Sequence, residues 1–134
     1  MNLEKLQEYA EKDNFFKFIG IKILEIGEGK AKVSLRFNEN FMNFFNAGHG
    51  GAIYSLADSA FQLACNASAD IEIAVALNTS LNHIKKVELS ETLFADAEVI
   101  SSTRKISITE IKIKNDKNEL VAIFRGLAYL KRNK

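Results

Sequence analysis

The stretch from residue 43 to residue 66 reads N-F-F-N-A-G-H-G-G-A-I-Y-S-L-A-D-S-A-F-Q-L-A-C-N. The His-Gly-Gly triplet at residues 49–51 opens a long, Ala-rich segment that predicts a helix over about residues 50–67. The first N–H groups of a helix lack intrahelical partners and form the positive end of its dipole. Glycine lets a ligand approach that backbone closely. The segment therefore predicts an anion-binding helix start, with a single carboxylate, Asp58, two turns further along.

The composition describes an ordinary globular chain of one domain, residues 1–134. Apolar residues make up 47% of the sequence, charged residues 26%, and the net charge is +1. No excess of charge points to nucleic acid, and no apolar run is long enough to span a membrane. The charged N-terminus, with Glu4, Lys5 and Glu8, does not look like a signal peptide. We therefore expect a cytoplasmic protein. Because Cys65 is the single cysteine, the chain cannot form an internal disulfide.

The pattern of apolar residues predicts one fold class, α+β. An amphipathic helix over residues 3–18 comes first, followed by a hairpin with its turn at residues 27–30, a loop over residues 38–48 and the long helix. Four further strands follow, with a β-bulge expected at Thr109–Glu110 because the parity of the isoleucines changes there. In the first of these strands the apolar residues share one parity, which predicts a common face for Ile73, Val75, Leu77, Thr79 and Leu81. About six antiparallel strands wrapped around one buried central helix are expected.

A polar stripe runs along the long helix. Tyr54, Asp58, Gln62 and Asn66 recur every four residues and so share one side of the helix. One interpretation is the less buried edge of an amphipathic helix. Two features favour a cleft or an interface instead: Asp is a poor interior helix residue, and the stripe contains no Lys, Arg or Glu.

These residues resemble a known family. The pattern N-x-x-x-x-x-H-G-G-x-x-x-S-L-A-D-x-A-x-x-x-A-C-N, followed later by V-A-x-F-R-G, is similar to that of the hotdog-fold acyl-CoA thioesterases. The nearest group is the phenylacetic-acid-degradation thioesterases and their 4-hydroxybenzoyl-CoA relatives. The resemblance covers nearly the whole chain, and it implies hydrolysis of an acyl-CoA thioester with no cofactor other than the coenzyme A of the substrate.

The resemblance also implies catalytic roles. Asp58 matches the acidic residue of the central helix, which acts as nucleophile or general base. Gly50 matches the glycine whose backbone N–H polarises the thioester carbonyl, and Asn43 matches the residue that positions the thioester or the attacking water. His49 matches an orienting histidine of the motif. The family places such sites at a dimer interface, so Asp58 and Gly50 would come from different subunits, and a dimer of dimers (a homotetramer) is expected.

Each of these residues also has a purely structural interpretation. Gly50 is then a packing glycine, Asp58 an interface carboxylate, His49 a histidine that caps the loop, and Asn43 a turn residue. The further candidates for substrate binding share proximity in sequence to the motif or a positive charge. They are Gly51, Tyr54, Phe61, Gln62, Lys85 and Lys86.

One segment departs from the family pattern. The family has a Phe-Leu-Arg-Pro-Gly type of segment after the strand that follows the helix, whereas this chain has N-H-I-K-K-V at residues 82–87. Lys85 and Lys86 remain candidates for the phosphates of coenzyme A, with Arg104 and Lys105 as weaker ones. His83 is interpreted as a surface histidine at a strand end. No His, Cys and Asp cluster has the spacing of a metal site, so no metal is predicted.

Two other functions stay open. The first is a non-catalytic module that binds acyl-CoA or an acyl carrier, with the fold retained and turnover lost. The second is a hotdog dehydratase or hydratase in which His49 and an acid transfer protons, although the Pro- and Gly-rich signature expected around such a histidine is missing.

Overall fold

The computed structural model describes residues 1–134 and contains one sheet, one long helix and a short helical N-terminus. Helices α1 (Leu3–Glu11) and α2 (Asn14–Ile19) come first, and α3 (Gly50–Asn66) is the long helix. The strands are β1 (Lys22–Gly27), β2 (Lys30–Arg36), β3 (Ile71–His83), β4 (Thr92–Ser102), β5 (Ile106–Lys114) and β6 (Leu120–Arg132). The predicted α+β class and the number of strands are confirmed.

The six strands form one antiparallel sheet in the order β1-β2-β4-β5-β6-β3. Helix α3 packs against its inner face. The apolar residues that the sequence predicts for the packing face of α3 are all buried: Ile53, Leu56, Ala57, Ala60, Phe61 and Ala64. Strand β3 lies at an edge of this sheet and pairs only with β6, so the opposite edge of β3 is unpaired. This edge is 13 residues long. No helix in the structure is both long and apolar enough to cross a membrane.

The expectation of one N-terminal helix over residues 3–18 is wrong, because Asp13 starts a second helix. The Asp13 side chain accepts hydrogen bonds from the N–H groups of Phe15 and Phe16 and thereby caps α2. An N-cap residue has an extended backbone, which interrupts the helix before it. Of the three apolar residues at helical spacing in α1, Leu6 and Ala10 are buried as expected, whereas Leu3 is exposed.

The loop over residues 38–48 also contains an element that the sequence did not indicate. A short 3₁₀ helix, Glu39–Phe41, begins after Asn38, whose side chain accepts from the N–H of Asn40. The loop then closes with a bridge between Met42 and Gly48.

The β-bulge expected at Thr109–Glu110 is also wrong. Strand β5 keeps its alternation throughout, with Ser107, Thr109, Ile111 and Ile113 buried on the inner face. The bulge lies on the neighbouring strand β4, between Val99 and Ser101. The parity changes because two of the inner positions of β5 carry hydroxyl residues rather than isoleucine.

A second departure concerns β3, whose predicted common face is divided by a bulge. Ile73 and Val75 point outward, whereas Thr79 pairs with Gly126 on the inner face. The register shift between Ala76 and Asn78 reverses the alternation. As a result, the last residues of β3, including His83, face the helix.

Gly126 of β6 lies directly against the ring of Phe61. A Cβ added at Gly126 would lie 2.6–2.7 Å from three atoms of that ring. We expect Gly126→Ala to lower the free energy of unfolding by about 1–3 kcal/mol, the usual cost of overpacking a core. Urea unfolding measures this, and the double variant with Phe61→Leu should recover part of the loss. An unchanged unfolding midpoint in Gly126→Ala would contradict the expectation.

Candidate active site

The start of α3 leaves one backbone donor free. His49 is the N-cap, and its Nδ1 accepts a hydrogen bond from the N–H of Gly51 at 2.8 Å. The N–H of Ala52 donates to the carbonyl oxygen of His49 at 3.0 Å. The N–H of Gly50 has no hydrogen-bond partner in the chain. The helix start therefore presents one unpaired donor, at the positive end of the dipole.

These bonds favour the structural interpretation of His49, because its ring orients the helix start. With Nδ1 accepting, the ring proton is assigned to Nε2, which has no partner in the chain. The N–H of Gly51 is occupied by this bond, so Gly51 does not offer a second free donor.

Asn43 also has a structural task. Its Oδ1 accepts from the N–H groups of Phe45 at 2.9 Å and Ala47 at 3.1 Å, which closes the turn before the helix. The N–H of Gly48 donates to the carbonyl of Val87 and ties this loop to the segment after β3. The amide Nδ2 of Asn43 stays free to donate to a ligand.

A cavity of about 380 Å³ lies beside the helix start. It is lined by residues from the loop, from α3 and from the segment that follows β3: Asn43, Ala47, Gly48, Gly50, Ile53, His83, Ile84, Lys85, Lys86 and Val87. Lys85 pairs with Glu119 at 3.4 Å and Lys86 with Glu88 at 3.7 Å. Both ion pairs are exposed and so hold the ammonium groups weakly. The turn that contains Arg104 and Lys105 lies at the other end of the sheet.

Asp58 lies elsewhere, on the wall of a second cavity of about 400 Å³ that is mostly apolar. Its carboxylate is half-buried and accepts no hydrogen bond within the chain, and burial raises the pKa of Asp58 above its usual range. A carboxylate that lacks partners and has lost water is a stronger base than an exposed one. The lining residues come from α1, α3 and β3, and include Leu6, Tyr9, Ala10, Phe61, Gln62, Ile73, Ala74, Val75 and Ala76.

The two cavities are separated along the helix. Asp58 follows Gly50 by eight residues, which is about 12 Å at the rise of an α-helix. One thioester carbonyl cannot reach both groups of a single chain. Asp58 lies beside the first half of β3, at Ile73–Ala76, whereas Gly50 lies beside its last residue, His83.

The other members of the polar stripe differ from one another. The hydroxyl of Tyr54 shares a hydrogen bond of 2.7 Å with that of Thr79, and Gln62 is exposed at the cavity of Asp58. Asn66 is buried, and its side chain binds the N–H and the carbonyl of Ala74, so it has a structural role. Phe61, which is not part of the stripe, is only 1% exposed: it belongs to the core and contributes to the inner wall of the Asp58 cavity.

The remaining reactive features of the chain are the thiol of Cys65 and the side chains that could bind a metal ion. Cys65 is buried, and burial raises the pKa of its thiol to about 12, which keeps it protonated and unreactive. No three His, Cys, Asp or Glu side chains come together where they could hold a metal ion.

The sequence and the fold both match known proteins. A family model described as "Thioesterase superfamily" matches residues 45–122. A putative esterase of Archaeoglobus fulgidus is 34% identical over 95% of this chain and 82% of its own. The acyl-coenzyme A thioesterase PaaI of Escherichia coli is 33% identical over 89% of this chain and 84% of its own. The solved structure of E. coli PaaI, from the phenylacetic acid degradation operon, superposes with a TM-score of 0.90 over 96% of this chain and 91% of that one.

The chain therefore belongs to the thioesterase superfamily. The predictions of a hotdog fold and of a thioester hydrolase are confirmed.

Proposed function

We propose that this protein hydrolyses an aryl- or medium-chain acyl-CoA to the free acid and coenzyme A, at a site shared by two copies of the chain. The proposal depends on one observation: the chain carries two halves of a catalytic site at two separate cavities. One offers an unpaired N–H at Gly50, and the other offers a half-buried carboxylate at Asp58. The similarity to the acyl-coenzyme A thioesterase PaaI supports the choice of acyl-CoA.

The unpaired edge of β3 supports the sharing of the site. An exposed strand edge is a template for pairing with another chain, and apolar side chains are exposed along it at Ile73, Val75 and Leu77. A two-fold axis pairs the strand with itself in antiparallel orientation. The first half of one β3 then lies against the last half of the other, which brings Asp58 towards the partner's Gly50. A dimer completes two such sites, and we retain the dimer of dimers as a prediction.

The reaction follows from these positions. The Asp58 carboxylate attacks the thioester carbon directly, or it takes the proton of a water that attacks instead. In both cases the carbonyl oxygen carries a transient negative charge, then the C–S bond breaks and its electron pair leaves with sulfur, which takes up a proton. Direct attack leaves the acyl group on Asp58 as a mixed anhydride, and water then hydrolyses this anhydride to the free acid and the Asp58 carboxylate. The N–H of Gly50 donates to the carbonyl oxygen that carries the charge.

The apolar cavity supports the class of acyl group. Its volume of about 400 Å³ suits an aryl or medium-length acyl group, and α1 forms one wall. Phe44 and Phe45 follow Asn43 and are 88% and 72% exposed, with their ring centroids 4.3 Å apart. In the paired arrangement we expect these rings to approach the partner's apolar cavity and to cover the acyl group. The exposed ion pairs of Lys85 and Lys86 are weak, so both ammonium groups can turn to bind the phosphates of coenzyme A.

A panel of acyl-CoA substrates tests the proposal. Release of free thiol should be fastest with aryl- and medium-chain acyl-CoAs, and slower with acetyl-CoA and with long-chain acyl-CoAs that exceed the cavity. An acyl group carried on an acyl-carrier protein serves as the comparison for the carrier. Absence of turnover on every thioester from a folded oligomer would contradict the proposed function and favour the binding module or the dehydratase instead.

The pH dependence of turnover should report Asp58. The carboxylate must be ionised in either mechanism, so kcat/KM should fall as the pH falls through its pKa. Because burial raises this pKa, the acid limb should lie above the range of an exposed Asp, about pH 4. The measurement is kcat/KM from about pH 4 to pH 8, with thermal unfolding at each pH as the control. A profile that stays flat down to about pH 4 would count against Asp58 as the base or nucleophile.

A further inference from the structure

His83 places a ring nitrogen beside Gly50, the residue whose backbone N–H is free. It is the last residue of β3 and pairs with the buried Ala122, so its side chain points towards the inner face of the sheet. A Cβ added at Gly50 would lie 3.4 Å from both Cε1 and Nε2 of the His83 ring. The edge of the ring that carries Nε2 therefore faces Gly50.

The ring of His83 has no structural task that would occupy this nitrogen. Neither of its ring nitrogens makes a hydrogen bond within the chain, and the side chain is exposed to the cavity at the helix start. The charged groups that line the same cavity, Lys85 and Lys86, are paired with Glu119 and Glu88. A histidine ring keeps at least one N–H donor in every protonation state. The Gly50 N–H and the His83 ring thus offer two donors at one place.

We propose that Nε2–H of His83 donates a second hydrogen bond to the thioester carbonyl oxygen, together with the N–H of Gly50. This inference rests on the proposed function. When the partner's Asp58 or a water attacks the carbonyl carbon, the electron pair of the C=O bond moves onto oxygen. Two fixed donors hold that charge until the C–S bond breaks and sulfur leaves with its electron pair. Such donors stabilise the transition state more than the ground state, because the charge develops only on attack.

Two substitutions separate donation from packing. His83→Phe keeps a planar ring and removes the donor, whereas His83→Gln keeps an N–H donor at similar reach. We expect His83→Phe to lower kcat by about 10²–10³-fold with little change in KM, as loss of an oxyanion donor does in other hydrolases. His83→Gln should retain a substantial part of that kcat. The inference is overturned by wild-type kcat in His83→Phe, by an effect on KM alone, or by equal losses in the two variants.

A spectroscopic measurement reports the hydrogen bond without turnover. An aroyl-CoA bound to the Asp58→Asn variant should show its carbonyl stretch at a lower infrared frequency than in water, because the donors polarise the bond. Adding His83→Phe should remove a large part of that shift, and adding His83→Gln should keep most of it. An identical carbonyl frequency with and without His83 overturns the inference.

The two proposals fail in different ways. A wild-type protein that hydrolyses no thioester overturns the proposed function and this inference with it. A wild-type protein that hydrolyses acyl-CoA, beside a fully active His83→Phe variant, overturns the role of His83 alone.

Discussion

Replacing Asp58 by Asn should abolish most of the turnover and at the same time make the fold more stable. The amide cannot attack the thioester or accept a proton from water, and loss of a general base costs about 10²–10⁴-fold in rate. Asn preserves the shape of the side chain at the wall of the apolar cavity. Binding of coenzyme A should therefore survive the substitution. The measurement is kcat/KM on the best acyl-CoA of the panel, beside the affinity for coenzyme A.

The gain in stability follows from the sign of the pKa shift. Burial raises the pKa of Asp58 in the folded chain, so the folded state binds this proton more tightly than the unfolded state. The folded state is then penalised, relative to the unfolded state, once the pH rises above the unfolded pKa. At neutral pH the ionised Asp58 therefore lowers stability, and the neutral Asn removes that cost. Thermal unfolding at pH 7 should show a higher Tm for Asp58→Asn, and the difference should shrink as the pH falls.

Asp96→Asn is the matched control. Asp96 is an exposed residue of β4, between the buried Ala95 and Ala97, so it points away from α3. The Asp96→Asn substitution should therefore change neither turnover nor the pH dependence of Tm. Wild-type turnover in Asp58→Asn would show that the Asp58 carboxylate takes no part in the reaction. A lower Tm for Asp58→Asn at pH 7 would contradict the expected gain in stability and would show that the carboxylate stabilises the folded state.

Local signals explain what the sequence predicted correctly. The His-Gly-Gly triplet and the apolar positions after it predicted α3 to within a residue, because helix starts have strong side-chain and glycine preferences. The turn of the first hairpin was equally clear, since Gly29 adopts a positive φ of 65° that other residues avoid. The order of the strands within the sheet was not predicted, because no local signal contains it.

Bulges explain much of what the sequence did not predict. A bulge reverses the alternation of a strand without leaving a characteristic residue, as at Leu77 of β3 and at Ile100 of β4. The expected parity of β3 was wrong for this reason. His83 is exposed at the strand end, as expected, but its orientation towards the helix start was not predicted. A strand-end histidine looks like a surface residue until the register shows that it faces the helix.

The site itself is divided in a way that one chain cannot display. The pattern of residues predicts Asp58 and Gly50 as site residues, but their separation of about 12 Å along the helix is incompatible with one carbonyl in one chain. In the proposed dimer, pairing with a second copy along the free edge of β3 would join the two halves. Phe44, Phe45 and the cavity of Asp58 would meet only in that dimer, so one chain alone does not define the acyl class.

Replacing Gly50 by Pro should remove the oxyanion donor and leave the helix intact. Gly50 is the first residue of α3, a position that favours proline because its N–H needs no partner within the helix. The preceding His49 already has the extended backbone that a proline requires, with φ −65° and ψ 131°. We expect kcat to fall by about 10²–10³-fold, the usual effect of losing one oxyanion-hole donor. Circular dichroism checks that the helix is retained.

Gly50→Ala is the matched control for the side chain, because it adds a Cβ and keeps the N–H. That Cβ would lie 3.4 Å from the His83 ring, an ordinary contact distance. Gly50→Ala should therefore keep most of the activity that Gly50→Pro loses. Equal losses in the two variants would show that crowding at the helix start, not the missing donor, lowers the rate.

Mixing the two inactive variants tests whether the site is shared. In a mixed dimer of Asp58→Asn and Gly50→Pro chains, one site combines Asp58 of one chain with the partner's Gly50 and is intact, while the other site lacks both groups. Random exchange of subunits in equal amounts should therefore restore about a quarter of wild-type activity. If both groups act within one chain, every site in the mixture lacks one of them and no activity returns. Refolding the two chains together from urea gives the mixture, and refolding each chain separately gives its baseline.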